Sequence, residues 1–140
     1  MNELIMTIGL PRSGKSTWAK EQGIPIVSCD AIRQSMGVYP FVPAAEPIVW
    51  TTARYMVKAL FFAGHTKVIL DTTAITKKRR DEWINDKWIR RFHVFPTPQS
   101  DCIERARTTN QEYLIPIIEV MAEQYETVSS AEYAEWEREK

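Results

Sequence analysis

Residues 9–17 read Gly-Leu-Pro-Arg-Ser-Gly-Lys-Ser-Thr, and no other stretch restricts the fold as tightly. The spacing Gly9-x-x-x-x-Gly14-Lys15-Ser16 is that of a P-loop, a turn that cradles phosphates. Its flanks decide whether the pattern carries meaning. Before it, Leu4-Ile5-Met6-Thr7-Ile8 is a short apolar run with β-branched members, which predicts a buried strand. After it, residues 16–22 contain no breaker until Gly23 and predict a helix. Strand, glycine turn and helix are the context the motif needs.

Gly9 and Gly14 are expected to give the backbone conformations that a side chain would forbid. Successive backbone N–H groups then converge into an anion nest. Gly9, Pro11, Arg12, Ser13, Gly14, Lys15, Ser16 and Thr17 make up the expected nucleotide site. Lys15 sets a point charge between the β- and γ-phosphates, and Ser16 offers its hydroxyl to Mg²⁺. ATP and Mg²⁺ are the ligands this pattern implies.

Composition narrows the class. A chain of 140 residues is expected to form one domain, with enough length to bury about two-thirds of its unfolded surface. No apolar run reaches the ~20 residues that span a bilayer. The first residues lack the basic segment of a signal peptide. Two cysteines, Cys29 and Cys102, make no disulfide framework, and a reducing cytoplasm is the expected compartment. The net charge of zero hides an asymmetry. Residues 1–100 carry 14 Lys/Arg against 8 Asp/Glu, and residues 101–140 carry 4 against 10. A polyanion would be drawn to the first part, unless these charges are spread evenly round the surface.

Residues 24–28 predict a second strand, with Pro25 at its start. Asp30 then either caps a short helix or stands as a carboxylate at the carboxyl end of a strand, where open α/β sheets bind ligands. Arg33 lies three residues on, within reach on the same helical face. Residues 37–47 hold three prolines, with Tyr39 and Phe41 between them, and predict a loop. Its aromatics either anchor the loop or stack on a base. Residues 48–63 predict a helix with a stripe at Val49, Thr52/Ala53, Met56, Leu60 and Ala63, stopped by Gly64. Residues 67–70 predict a third strand, apolar throughout, ending in Asp71-Thr72-Thr73. Asp71 at that tip is expected to meet Mg²⁺-bound water or substrate.

Thr76 is expected to cap a helix running to about Trp88. That helix opens with Lys77-Lys78-Arg79-Arg80, against the helix dipole. The four charges either serve a ligand or form a solvated face balanced by Asp81 and Glu82. Trp83 and Trp88 read as core. Residues 90–95 predict the fourth strand, with His93 structural. Ser100 is expected to cap a helix through Arg107, residues 108–114 a turn, and Pro116 the start of a helix to about residue 125. Ser129-x-x-Glu132 matches a capping box. The tail, residues 131–140, reads as a charged, exposed or frayed helix.

Three segments together resemble the 5′-hydroxyl kinase domain of phage polynucleotide kinase: Gly9-x-Pro11-x-Ser13-Gly14-Lys15-Ser16-Thr17-Trp18-Ala19, Ser28-x-Asp30-x-x-Arg33, and Val68-Ile69-Leu70-Asp71-Thr72-Thr73. The likeness extends to about residue 126. It implies an α/β P-loop NTPase sandwich of three layers: a parallel sheet of about four strands in the order 2-3-1-4, helices on both faces, and a small helical lid at about residues 100–115. It gives Asp30 the role of general base and Arg33 that of acceptor-phosphate contact. Asp71 organises the acceptor and metal side. Arg105 and Arg107 are the available lid arginines, and Lys15 serves in catalysis. The implied reaction moves the ATP γ-phosphate to a 5′-hydroxyl end of DNA or RNA, in the host cytoplasm if the chain is phage-encoded. Two features depart from the family. The chain has no room for the second, phosphatase domain of its bifunctional members. Its lid is poor in arginine, with no basic residue between Arg107 and Arg138. Other hydroxyls stay open as acceptors, on a hydroxymethylated base or a small metabolite, as does a nucleotide-dependent switch.

Overall fold

A computed structural model describes residues 1–138; the last two residues of the expected tail lie outside it. The strands are β1 (Asn2–Ile8), β2 (Ile26–Ser28), β3 (Lys67–Asp71) and β4 (Trp88–Val94). They form one parallel sheet in the order β2-β3-β1-β4, the order expected. β1 lies inside the sheet and is apolar on both faces, as central parallel strands must be. Alternation along it sends Leu4, Met6 and Ile8 to one layer and Ile5 to the other.

Helix α1 (Lys15–Glu21) lies on the Ile5 side, where Ala19 meets Ile5 and Ile69. His93 of β4 stacks on Trp18 of this helix, ring centroids 4.0 Å apart. Helices α2 (Cys29–Met36) and α3 (Glu46–Phe62) cover the opposite face. The stripe of α3 is rotated from the one expected. Val49, Trp50, Ala53 and Val57 are buried, whereas Met56 is 40% exposed. Beyond the sheet, α5 (Gln99–Thr108) and α6 (Ile115–Gln124) enclose a separate cluster of Cys102, Ala106, Leu114 and Ile118. Leu10 completes that cluster. No helix among the described residues is long and apolar enough to cross a membrane.

Three local expectations are corrected. The helix after Thr76, α4, covers only Lys77–Asp81, and Trp88 is the first residue of β4. Thr76 does cap it, accepting from Arg79 N at 3.2 Å. Beyond it the Trp83 carbonyl accepts from the Trp88 indole at 2.9 Å. The Asn85 side chain then accepts from Lys87 N at 2.8 Å, an Asx turn that redirects the chain. Ser100 does not cap α5; Pro98 occupies that position without a side-chain bond. Asp30 does not cap α2 either, because Ser28 Oγ accepts from Ala31 N at 3.1 Å.

The basic run of α4 is absorbed mainly by the fold. Lys77 pairs with Asp81 at 2.6 Å and Arg79 with Glu82 at 3.0 Å. Arg79 also lies over the Trp50 ring at 4.2 Å, a cation–π contact. Arg80 is fully buried, and its Nε donates to Glu132 Oε2 at 2.7 Å. The same guanidinium donates to the Ala74 carbonyl at 3.0 Å. Glu132 sits in the first turn of α7 (Ser130–Arg138), where it also accepts from Ser129 N at 3.0 Å, while Ser129 Oγ accepts from Glu132 N at 3.2 Å. The capping box therefore forms, and this end of the expected exposed tail is tied into the core.

Burial alone would push the Glu132 carboxyl up; Arg80 and Ser129 hold it below the usual glutamate range. Its ionised form stabilises the fold above that range, and the contribution is lost as pH falls through the lowered value. Glu132→Ala leaves the Arg80 charge buried without its carboxylate and is expected to cost about 3–5 kcal/mol, read as a lower urea midpoint at pH 7. The double change Arg80→Met with Glu132→Leu recovers most of that loss.

Candidate active site

β1 delivers the chain into the phosphate loop under crowding. A Cβ on Gly9 would lie 2.7 Å from Ser13 Oγ and 3.1 Å from both the Cβ and the carbonyl oxygen of Phe95. Gly9 is thus demanded by close approach, not by a left-handed backbone. Gly14 fits the expected reason, with φ 103°. Thr97 Oγ1 donates to the Ser13 carbonyl at 2.9 Å, so the segment after β4 also braces the turn.

Lys15 is buried inside the loop. Its ammonium donates to the Leu10 carbonyl at 2.8 Å and to Ser13 Oγ at 3.4 Å. Burial pulls its pKa down to about 8, while the carboxylates of Asp71 and Asp30 work in the opposite direction. Both acids therefore act on the same cation. The sheet register explains why: Ser28 at the end of β2 pairs with Asp71 at the end of β3, so the two strand tips share the edge at which the loop opens.

Asp71 Oδ2 accepts from Ser16 Oγ at 2.7 Å. Oδ1 accepts from Thr7 Oγ1 at 3.4 Å, and Thr7 Oγ1 itself accepts from Thr72 N at 3.2 Å. Two oxygens in adjacent positions of an octahedral Mg²⁺ shell lie about 2.9 Å apart, so Ser16 and Asp71 fit that ion as a pair. No cluster of three or more His, Cys, Asp or Glu among the described residues could hold a metal. Mg²⁺ takes one or two protein ligands and completes its shell with phosphates and water.

Asp30 lies in the first turn of α2 with its side chain 63% exposed and accepts from Arg33 NH1 at 2.8 Å. Arg33 is gripped from behind by Glu46, which accepts from Nε at 2.9 Å and from NH2 at 2.7 Å. Neither Glu46 nor Thr7 is among the residues the sequence singles out. A lone hydroxyl in the apolar run entering the loop is the signal that finds Thr7; Glu46 has none, since it reaches Arg33 across a proline-rich loop. Cys29, beside Asp30, is buried, and burial raises its thiol to about 11, which suits packing rather than attack.

The loop after α2 meets the segment between α5 and α6. The Tyr39 hydroxyl lies 3.5 Å from that of Tyr113, and the rings meet edge to face at 6.2 Å. Burial raises the Tyr39 phenol first, then the Tyr113 hydrogen bond and the charge of Asp30. Phe41 is 53% exposed. From α5, Arg105 NH1 donates to the Arg12 carbonyl at 3.1 Å. Arg107, two residues further, is exposed on the other side of the helix, as that spacing requires. Arg12 itself has φ 66°, a conformation that costs an L-residue about 1–2 kcal/mol.

A family profile described as an AAA domain matches residues 4–128. Among solved structures, a chain of the Pnkp1/Rnl/Hen1 complex is 25% identical with a TM-score of 0.65, over 74% of this chain and 38% of the other. A second structure, of the Pnkp1/Rnl/Hen1 RNA repair complex, aligns at 21% identity and TM-score 0.66, over 89% of this chain and 46% of the other. This chain thus spans less than half the length of either. A gluconokinase from Sinorhizobium meliloti 1021 aligns at 20% identity and TM-score 0.57, over 89% of this chain and 75% of that one. The fold is that of a P-loop kinase.

In the folded chain Lys15 gives up its proton near pH 8, against 10.5 when unperturbed. Between those values the unfolded chain holds the extra proton, so stability rises with pH; below about 8 the burial penalty stands in full. Lys15→Met is therefore expected to raise the thermal midpoint at pH 7. Its advantage over the wild type should shrink as pH climbs from 8 to 10.5, measured by calorimetry.

Proposed function

The chain belongs to the AAA domain family, and on that premise we propose that it is an ATP-dependent kinase transferring the γ-phosphate to a 5′-hydroxyl end of DNA or RNA. The observation that carries this reading is the register of β2 and β3, which sets Ser28 beside Asp71 at one sheet edge, with Asp71 bonded to Ser16 of the loop and Asp30 two residues past Ser28. A donor site alone would need Lys15, Ser16 and Asp71. Asp30 has no part in holding a triphosphate, and its exposed carboxylate beside Arg33 is the equipment for a second substrate.

In this reading residues 1–140 act as one kinase domain with residues 100–115 as its lid. The loop amides and Lys15 hold the donor phosphates. Ser16 and Asp71 would hold Mg²⁺, which supplies charge neutralisation on the β- and γ-phosphate oxygens when bound. Asp30 orients the acceptor hydroxyl and takes its proton, with Arg33 fixing the carboxylate and contacting the acceptor phosphate. Glu46 keeps the Arg33 guanidinium in plane and leaves N–H groups on NH1 and NH2 for that phosphate. Tyr39 borders the place where the acceptor nucleotide would lie. Positioning and charge neutralisation supply most of the rate in phosphoryl transfer.

A nucleic-acid end is preferred over other hydroxyls because Ser28-x-Asp30-x-x-Arg33 and the strand-tip Asp71 match polynucleotide kinase, and the likeness to the Pnkp1/Rnl/Hen1 complex is in keeping with it. The reaction is tested with γ-labelled ATP against 5′-hydroxyl oligonucleotides, hydroxymethyl-base DNA and nucleosides. Label is expected on the 5′ ends; label confined to another acceptor reassigns the substrate. Asp30→Asn should retain ATP affinity within about threefold and lose about 10²–10⁴-fold in transfer. Near-normal transfer by that variant removes Asp30 as the base.

A further inference from the structure

Arg12 carries two costs without a visible return inside the chain. Its backbone is left-handed, φ 66°, at a loop position where glycine would be unstrained. Its Nε is buried with no hydrogen-bond partner. Among the described residues no carboxylate forms an ion pair with it, whereas Arg33, Arg79 and Arg80 each have one. A buried cationic N–H is normally satisfied, and an exception calls for a reason. Here the exception sits on the crown of a phosphate loop.

Its surroundings narrow the reason. The Arg12 charge is felt by the Tyr39 phenol, which also feels Asp30, and by the Cys102 thiol, which also feels Lys15. The residue itself stands within the phosphate loop, two positions before Gly14 and three before Lys15. Arg105 holds the Arg12 carbonyl at 3.1 Å, which fixes the strained backbone and commits one donor of the lid arginine to the loop.

Building on the kinase reading, we propose that Arg12 is a catalytic arginine borne by the phosphate loop itself, donating to the phosphoryl group in flight, with Arg105 as its positioning residue. In the step, the acceptor oxygen bonds to the γ-phosphorus and its proton passes to Asp30. The bond from the γ-phosphorus to the bridging oxygen breaks, and its electron pair leaves on ADP. The Arg12 fork shares its N–H groups with the oxygens that carry the charge during that exchange. A chain with a lid so poor in arginine thereby keeps a cation at the transition state.

The test compares wild type, Arg12→Gly and Arg12→Lys in the full chain, reading kcat, the Kd for ATP and the thermal midpoint. Glycine relieves the backbone strain, so Arg12→Gly is expected to melt at or above the wild-type temperature. It should bind ATP within about tenfold and lose on the order of 10³-fold in kcat. Arg12→Lys keeps the charge but not the fork and should fall between. A kcat for Arg12→Gly within threefold of wild type overturns the proposal. So does a loss matched by equal losses in ATP affinity and melting temperature, which marks a structural residue. The same thresholds apply to MgATP hydrolysis without acceptor, so failure to label 5′ ends overturns the acceptor assignment alone.

Discussion

A buried ammonium governs this structure. Lys15 sits inside the loop with one carbonyl and one hydroxyl as direct partners, and burial costs it more than two carboxylates restore. A free-standing helix-and-loop could not hold a charge there. The parallel sheet can, because its register brings the tips of β2 and β3 to the same edge. Asp71 and Asp30 then act on the lysine from neighbouring strands. Both acids reach the site as consequences of strand order, and the loop between Gly9 and Gly14 closes over the cation they help to keep charged.

Stability and site assembly are divided between the two halves of the basic and acidic sequence. Within the positive run of α4, Arg80 joins Glu132, the Ala74 carbonyl and, at 3.4 Å, the Thr127 carbonyl. Ala74 has φ 42° and lies three residues past Asp71. The Arg80 bond to its carbonyl therefore holds the segment leaving the β3 tip in a conformation it would not choose alone. An ion pair far from the loop in sequence fixes the segment that presents the strand-tip carboxylate.

Much of this was legible beforehand. The apolar runs of β1 and β3, the glycine spacing and the strand-tip aspartates specify sheet, loop and edge by local pattern alone, and the sheet order follows from the family likeness. What stayed hidden depends on side-chain partners that the local pattern does not name. Residues 77–88 contain no glycine or proline, and the chain turns there through side chains: the Asn85 carboxamide accepts from Lys87 N and the Trp88 indole donates to the Trp83 carbonyl. Neither reading of the run at residues 77–80, a ligand contact or a solvated face, describes Arg80, whose partner Glu132 lies 52 residues away. The glycine spacing implies a torsional requirement at Gly9, but the requirement is steric, because Phe95 arrives just past the end of β4. Asp30 was legible as an acid at the right edge, but its freedom from capping depends on Ser28 taking that task.

The α5–α6 cluster and the phosphate loop share a residue, and this couples them. The Leu10 side chain belongs to the apolar cluster of α5 and α6, while its carbonyl accepts from Lys15. The next contact along, Arg105 on the Arg12 carbonyl, ties the same helix to the loop a second time. A displacement of α5 therefore cannot leave the loop backbone where it is: it pulls the Leu10 side chain from its cluster or moves the acceptor of the buried ammonium. Packing resists intermediate arrangements, since an interior as dense as a crystal loses contacts steeply with separation. The position of α5 and the hydrogen bonding of Lys15 are thus two readings of one conformation, set by whether Leu10 stays seated.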